Sequence, residues 1–261
     1  MNEHSFGNAL RNWRQRRHLS QLELAGDVEI STRHLSFVET GRSQPSREMV
    51  LRLAERLEVP LRERNELLVA AGYAPLYSTR PLDDPTMNSA RAAVDLILNG
   101  HEPYPAVLVD RHWNLLAGNK AAGAFMVGVD TEVLGPPTNV LRATLHPKGL
   151  APRIENLPEW RSHLLSTLAR ELELSADPTM AALLTELRGY PGGEAEPDPQ
   201  FGGVVVPLKM RTEIGTLSMF STTTVFGTPM EVTLSELMLE AFYPADEFTA
   251  KVLRQMAGVP G

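Results

Sequence analysis

The chain has 261 residues, is 43% hydrophobic and 22% charged, carries a formal net charge of −7 and contains no cysteine. Its length suits two domains, each able to bury its own core, while the missing cysteine excludes disulfides and thiolate metal sites and fits a reducing cytoplasm. No apolar run approaches the ~20 residues of a membrane helix, and polar Asn2, Glu3 and His4 stand where a signal peptide would be apolar, so a cytoplasmic protein without a membrane partner is expected.

The net charge hides an asymmetry. Residues 1–47 hold seven arginines against five acids, which leaves the remainder strongly acidic. A weakly basic head on an acidic body suits a module that attracts phosphates through one patch; ordinary surface variation is the competing reading.

Five short helices are expected in the first seventy residues. Phe6, Leu10 and Trp13 share one face of a helix over residues 6–17, with Arg11, Arg14, Arg16 and Arg17 on the others. Ser20 followed by Glu23 is a capping box that opens a second helix. Ser31 caps a third, and Gly41 supplies a left-handed stop. Ser46, after Pro45, caps a fourth with Met49, Val50, Leu53 and Leu57 in a stripe, and a fifth runs from about Leu61 to Ala71 before Gly72. Elements this short leave no room for a pocket, so their function lies on the surface.

On the third helix Leu35 and Val38 face inward, which turns Thr32, Arg33, Ser36 and Phe37 outward. That face suits the major groove. Arg33 can fork onto guanine, Thr32 and Ser36 can donate or accept, and Phe37 can touch thymine methyls or pack on neighbouring protein. Gln21 and the helix start suit a phosphate, with Arg42, Ser43 and Arg47 as further backbone contacts. Ser31, at the head of the reading helix, completes the DNA-binding candidates.

The pattern Ser20-Gln21, Leu24-Ala25, Glu39-Thr40-Gly41-Arg42 and Pro45-Ser46 resembles the helix-turn-helix repressors of the phage lambda, 434 and Xre type, over about residues 5–72. The resemblance implies that Ala25 is the small residue where two helices cross, that Leu35 and Val38 plug the core and that Arg14 pairs with Glu39. Glu29 departs from the family, where the turn often carries glycine. It requires either a left-handed glutamate or a different turn.

Residues 74–89, with three prolines and no helical period, read as a linker, followed by a helix over about 89–99. Beyond it, residues 106–117 predict two short strands around a turn at Asp110 to His112, and a short helix covers 119–126. Pro158 opens a longer helix with Trp160, Leu164, Leu165, Leu168 and Leu172 on one face, and another spans 178–188. After a polar loop at 189–200 come strands at 203–210, 214–221 and 230–232, then helices at about 235–242 and 244–257. Mixed hairpins and helices indicate an α+β domain with one antiparallel sheet.

This half resembles the ligand-binding domain of MmyB-like transcription regulators, a PAS-like fold. The carrying segments are Asp110-Arg111-His112-Trp113-Asn114, Asn119 with Ala121 and Ala122, His146-Pro147 with Gly149-Leu150, Phe220-Ser221-Thr222, Phe226-Gly227-Thr228-Pro229, and Glu240-Ala241-Phe242 through Pro244-Ala245-Asp246-Glu247. The resemblance implies a one-component sensor whose pocket takes a fatty acid or similar apolar molecule. Trp113, Leu115, Phe125, Trp160, Leu164, Leu168, Val205, Met219 and Phe226 are the expected lining; Arg142 and His146, with Arg153 in reserve, are expected to orient a carboxylate.

The expected architecture is an all-α five-helix repressor-type DNA-binding domain (1–73), a linker and connecting helix (74–100), and an α+β PAS-like ligand-binding and dimerisation domain (101–261). No catalytic motif is present. The seven histidines lack metal-ligand spacing and cysteine partners, so neither enzyme activity, metal nor resident cofactor is expected. The expected partners are a double-stranded DNA operator, a small apolar effector and a second copy of the chain. A rival is a second domain that only dimerises or docks a protein. An enzyme fused to a DNA-binding head is the third alternative.

Overall fold

A computed structural model describes residues 5–193, 195, 206–226 and 231–258. The chain divides into two compact units. The first takes Met1–Arg80 with Glu173–Ser175 and Thr228–Ser235; the second takes Pro81–Leu172, Ala176–Gly227 and Glu236–Gly261.

The first unit holds the five expected helices: α1 (Phe6–Arg16), α2 (Gln21–Asp27), α3 (Thr32–Glu39), α4 (Arg47–Arg56) and α5 (Leu61–Ala70). Their starts follow from short polar side chains. Ser5, Ser20, Ser31 and Ser46 each accept a hydrogen bond from a backbone N–H three residues on, and Ser20 and Glu23 form the complete capping box. Their inner faces meet in a core of Leu10, Leu24, Leu35, Leu53, Leu57 and Leu68, all with no exposed surface. Each such leucine contributes about 1.5–3 kcal/mol of burial. Residues after α5 are pinned to it, because the Asn65 side chain accepts from the N–H groups of Leu76 and Tyr77 at 2.9 and 3.0 Å.

The second unit begins with α6 (Asn88–Gly100), β1 (Ala106–Val109), β2 (Leu115–Gly118) and α7 (Lys120–Phe125). It continues with α8 (Val140–Leu145), α9 (Leu157–Ser175), α10 (Pro178–Arg188), β3 (Leu208–Thr212) and β4 (Gly215–Val225). After the one-turn α11 (Val232–Ser235), which falls in the first unit, β5 (Met238–Pro244) and α12 (Glu247–Met256) close the chain. The five strands form one antiparallel sheet in the order β2-β1-β5-β4-β3, which is the α+β, PAS-like arrangement expected. One sheet face, with Val107, Val109, Met210, Leu217 and Met219, packs with Trp160, Leu164, Leu168 and Leu187 of α9 and α10 in a single core.

Two expectations near the C-terminus are corrected. Residues 235–242 are not a helix: 238–244 are β5, the central strand, paired with β1 on one side and β4 on the other. Leucine, methionine, glutamate and alanine favour helix locally, but two ladders of hydrogen bonds and burial on both faces override that preference. Val232, expected in a strand, opens α11. The polar loop, the residues around 203–205 including Val205, and 227–230 lie largely or wholly outside the described residues.

Candidate functional site

In the first unit the turn between α2 and α3 keeps its left-handed residue: Glu29 has φ of 56°, and Gly41 stops α3 at φ of 73°. Leu35 and Val38 are buried, and Ala25 sits 1% exposed at the helix crossing. Arg14 reaches Glu39 at the end of α3 through two hydrogen bonds, Nε to Oε1 at 2.7 Å and Nη2 to Oε2 at 3.1 Å. Gln21 Nε2 donates to the same carboxylate at 2.7 Å, and Arg11 Nε at 3.4 Å. Burial raises the Glu39 carboxyl, but the bonds from Arg14 and Gln21 and the Arg14 charge outweigh it and hold the group below its ordinary range. This node locks α1, α2 and α3 together. Gly7 makes the contact possible, since a Cβ there would lie 2.4 Å from the Glu39 carbonyl oxygen.

The opposite face of α3 is open. Arg33, Ser31, Arg42 and Arg47 are exposed, and Thr32, Ser36, Phe37 and Ser43 are half-buried. Phe37 holds this surface in order: the guanidinium carbons of Arg33 and Arg42 sit 5.3 and 5.9 Å from its ring centre, and its carbonyl accepts from the N–H groups of Arg42 and Ser43. Gln21 is tied to Glu39, so its side chain fastens the start of α2 to α3. The structure brings Arg33, Phe37 and Arg42 into one cluster on the exposed side of α3.

The second unit contains an apolar cavity of about 70 Å³ between the sheet and α7, α8 and α9. Phe125, Trp160, Leu164 and Met219, four of the expected lining residues, are on its wall. Trp113 and Leu168 belong to the surrounding core without reaching the cavity, and Leu115 packs at that core's edge. Phe226 is half-buried beyond the end of β4, off the wall. Arg142 and His146 line a separate polar recess with Glu132 and Tyr190. There the Arg142 guanidinium is already engaged, Nε and Nη2 each 2.7 Å from a Glu186 oxygen. Arg153 donates to the carbonyls of Phe125 and Val127.

The sequence reading named four of the wall residues, and among those it missed one is ionisable. Glu240, on β5, is 8% exposed and sits on the cavity wall between Val107 of β1 and Thr223 of β4 in the sheet register. Burial pushes its carboxyl up to about 7, against a hydrogen bond from Ser221, and the charge of Glu171 adds to the rise. Alternation from Met238 through Glu240 to Phe242 was the available signal, masked by the apparent helix.

The Asp110 to Asn114 segment is architectural. Asp110 accepts from the N–H groups of His112 and Asn114 and from the Asn114 amide, which shapes the β1–β2 turn. His112 and Arg111 then bind Asp177, the N-cap of α10. Burial opposes ionisation of Asp177, but the bonds from His112 and Arg111 win and hold it far below the ordinary carboxylate range. Among the described residues no group of histidine and carboxylate side chains is arranged to hold a metal, and no helix is long and apolar enough to cross a membrane.

A family model described as "MmyB-like transcription regulator ligand binding domain" matches residues 90–256, and one described as "Helix-turn-helix domain" matches residues 5–67. No curated protein matches the chain significantly. Among solved structures, the PAS domain of Bordetella pertussis BvgS is 16% identical, covering 66% of this chain and 96% of its own, with a TM-score of 0.28. An RNA-binding light-oxygen-voltage receptor is 13% identical over 96% of this chain and 62% of its own, with a TM-score of 0.26.

Proposed function

The chain belongs to the family of the MmyB-like transcription regulator ligand binding domain and carries a helix-turn-helix domain before it; from that premise we propose a one-component sensor acting as a homodimer on a DNA operator. Residues 1–73 read the DNA, 74–100 connect, and 101–261 bind an apolar effector and dimerise. The observation that carries the reading is the combination, in one chain, of a reading helix locked from behind by Glu39 and an apolar cavity in a separate unit. Arg33 and Ser36 face bases, while Gln21, Arg42, Ser43 and Arg47 sit over phosphates. Effector binding changes DNA affinity only by its differential affinity for the two arrangements of the dimer.

A salt-dependent mobility-shift titration with DNA flanking the gene tests the first half. Tight binding to one fragment with two half-sites about one helical turn apart supports it; equal, weak binding to every fragment overturns it. A fatty acid matches the apolar wall, but a cavity of about 70 Å³ lies far below the ~300–1,000 Å³ of ordinary ligand pockets, so a long chain requires the domain to open. The same small volume favours the rival, a second domain that only dimerises or docks protein. Native mass spectrometry of the purified chain separates the two, a retained small molecule favouring the sensor.

A further inference from the structure

The cavity's polar complement is peculiar for a site meant to hold an acid. Its described wall contains one ionisable side chain, Glu240, and no lysine, arginine or histidine. Trp160, 2% exposed, also forms the wall, and its Nε1–H has no hydrogen-bond partner among the described residues. An unsatisfied buried donor costs about 1–3 kcal/mol, so a ligand that accepts from it gains what the free protein lacks. Thr144, the one hydroxyl-bearing residue of the described wall, already donates to the Val140 carbonyl.

We propose that this cavity takes an uncharged apolar molecule bearing a hydrogen-bond-accepting oxygen, such as a ketone or alcohol, held between the Glu240 carboxyl and the Trp160 Nε1–H. This rests on the sensor reading and narrows its effector class. A carboxylate would meet a second carboxyl with no cation beside it, at the steep cost of an unpaired buried charge. An ammonium, a donor only, would leave the indole N–H unsatisfied. An accepting oxygen satisfies both donors once Glu240 is protonated.

The surroundings favour the protonated form. β1 and β4, which flank β5, bring no titratable side chain; Ser221 of β4 supplies a hydrogen bond. On α9, Glu171 is half-buried, accepts from Trp113 Nε1 at 2.9 Å and has its own carboxyl raised by desolvation. His163, beside Trp160 at 5.3 Å between ring centres, is lowered by burial and by the Arg170 charge. The charged residues Glu247, Lys251 and Arg254 of α12, which also packs on β5, are exposed.

Ligand-detected NMR titration of the full chain with 2-hexanone, 1-hexanol, hexanoate and hexylamine, at pH 6 and pH 8, tests the proposal. The ketone, which only accepts, should bind at pH 6 and weaken by about tenfold at pH 8, in proportion to the protonated fraction of a group with a pKa of about 7, whereas the alcohol, which can also donate to the ionised carboxylate, should bind at both. Glu240→Gln keeps a donor and should make the ketone's binding independent of pH. Trp160→Phe keeps the ring and should weaken the same two probes several-fold. Preference for hexanoate or hexylamine overturns the proposal and leaves the sensor reading intact. Binding of none of the four overturns the proposal, and the absence of any retained small molecule in native mass spectrometry would overturn the sensor reading as well.

Discussion

Two glutamates, one in each unit, are buried to a similar degree and are put to opposite uses. Glu39 is 2% exposed and accepts from Arg14, Arg11 and Gln21, so its charge is fully compensated and its carboxyl stays ionised. Glu240 is 8% exposed, has Ser221 beside it and an apolar cavity in front, and its carboxyl rises to about 7. Burial acts on both in the same direction. Partners decide the outcome: with three donors the glutamate is a structural rivet, and with one hydroxyl it is a proton-bearing group facing a cavity.

The largest expected effect breaks the rivet. Glu39→Ala leaves the Arg14 guanidinium buried without its counter-charge, and such losses cost about 3–5 kcal/mol. Urea unfolding of the full chain, followed by helical signal, should show a first transition shifted to lower denaturant. A loss under about 1 kcal/mol would show that the node is dispensable. The pH dependence has the acid sign. Because the folded Glu39 pKa lies below its ordinary value, the stabilisation is present above that value and is lost as pH falls through the folded one.

Glu240 has the opposite sign. Its folded pKa of about 7 lies above the ordinary ~4.3, so its contribution is full below about 4.3 and is lost as pH rises through about 7. Relative to wild type, Glu240→Gln should therefore gain about 2.5 kcal/mol of stability between pH 5 and pH 8, at ~1.4 kcal/mol per unit of pH below the folded pKa. Thermal unfolding at matched ionic strength measures the difference. A constant offset between the two proteins across that range would remove the contrast with Glu39.

A third test asks whether the open face opposite Glu39 reads sequence. Arg33→Ala should weaken the preferred operator by about 1–3 kcal/mol and relax base choice at one position, whereas Arg42→Ala should weaken all sequences alike and lower the salt slope by about one. Phe37 complicates the separation usefully, since both guanidinium groups rest on its ring. Phe37→Ala should carry part of both effects. Equal responses from Arg33→Ala and Arg42→Ala would mean that neither reads a base.

The first unit was legible because its signals are local. Three serine caps, at Ser20, Ser31 and Ser46, the Gly41 stop and the inward Leu35 and Val38 each declare themselves within a few residues, and the Arg14–Glu39 pair follows from the family pattern. The contact at Gly7 did not, because it depends on how closely α1 approaches the end of α3. In the second unit the β1–β2 hairpin and the helices α9 and α10 were readable from spacing and proline. β5 was not. Its residues favour helix in isolation, and only pairing with strands more than a hundred residues upstream and about fifteen residues before it makes them a strand. Glu240 was lost with it, since a glutamate on a supposed amphipathic helix reads as a solvated surface residue. The expected carboxylate ligands Arg142 and His146 were placed by helical spacing alone, and spacing says nothing about which hollow a helix borders.

The smallest expected effect concerns Glu29, a third glutamate that is exposed and has neither role. It holds φ of 56°, while its N–H donates to the Gly26 carbonyl at 3.2 Å and the next N–H, of Ile30, donates to Ala25 at 2.9 Å. The left-handed conformation costs a non-glycine residue about 1–2 kcal/mol, and glycine removes that cost while adding ~0.5–1 kcal/mol of chain entropy to the unfolded state. Glu29→Gly should therefore stabilise the protein by about 0.5 kcal/mol, a rise of about 1–2 °C in Tm. Operator affinity should stay unchanged, because the turn already has the geometry that glycine would adopt. A change in affinity without a change in Tm would mean that the Glu29 side chain itself acts at the DNA, and that the charge of the turn, beyond its backbone, shapes recognition.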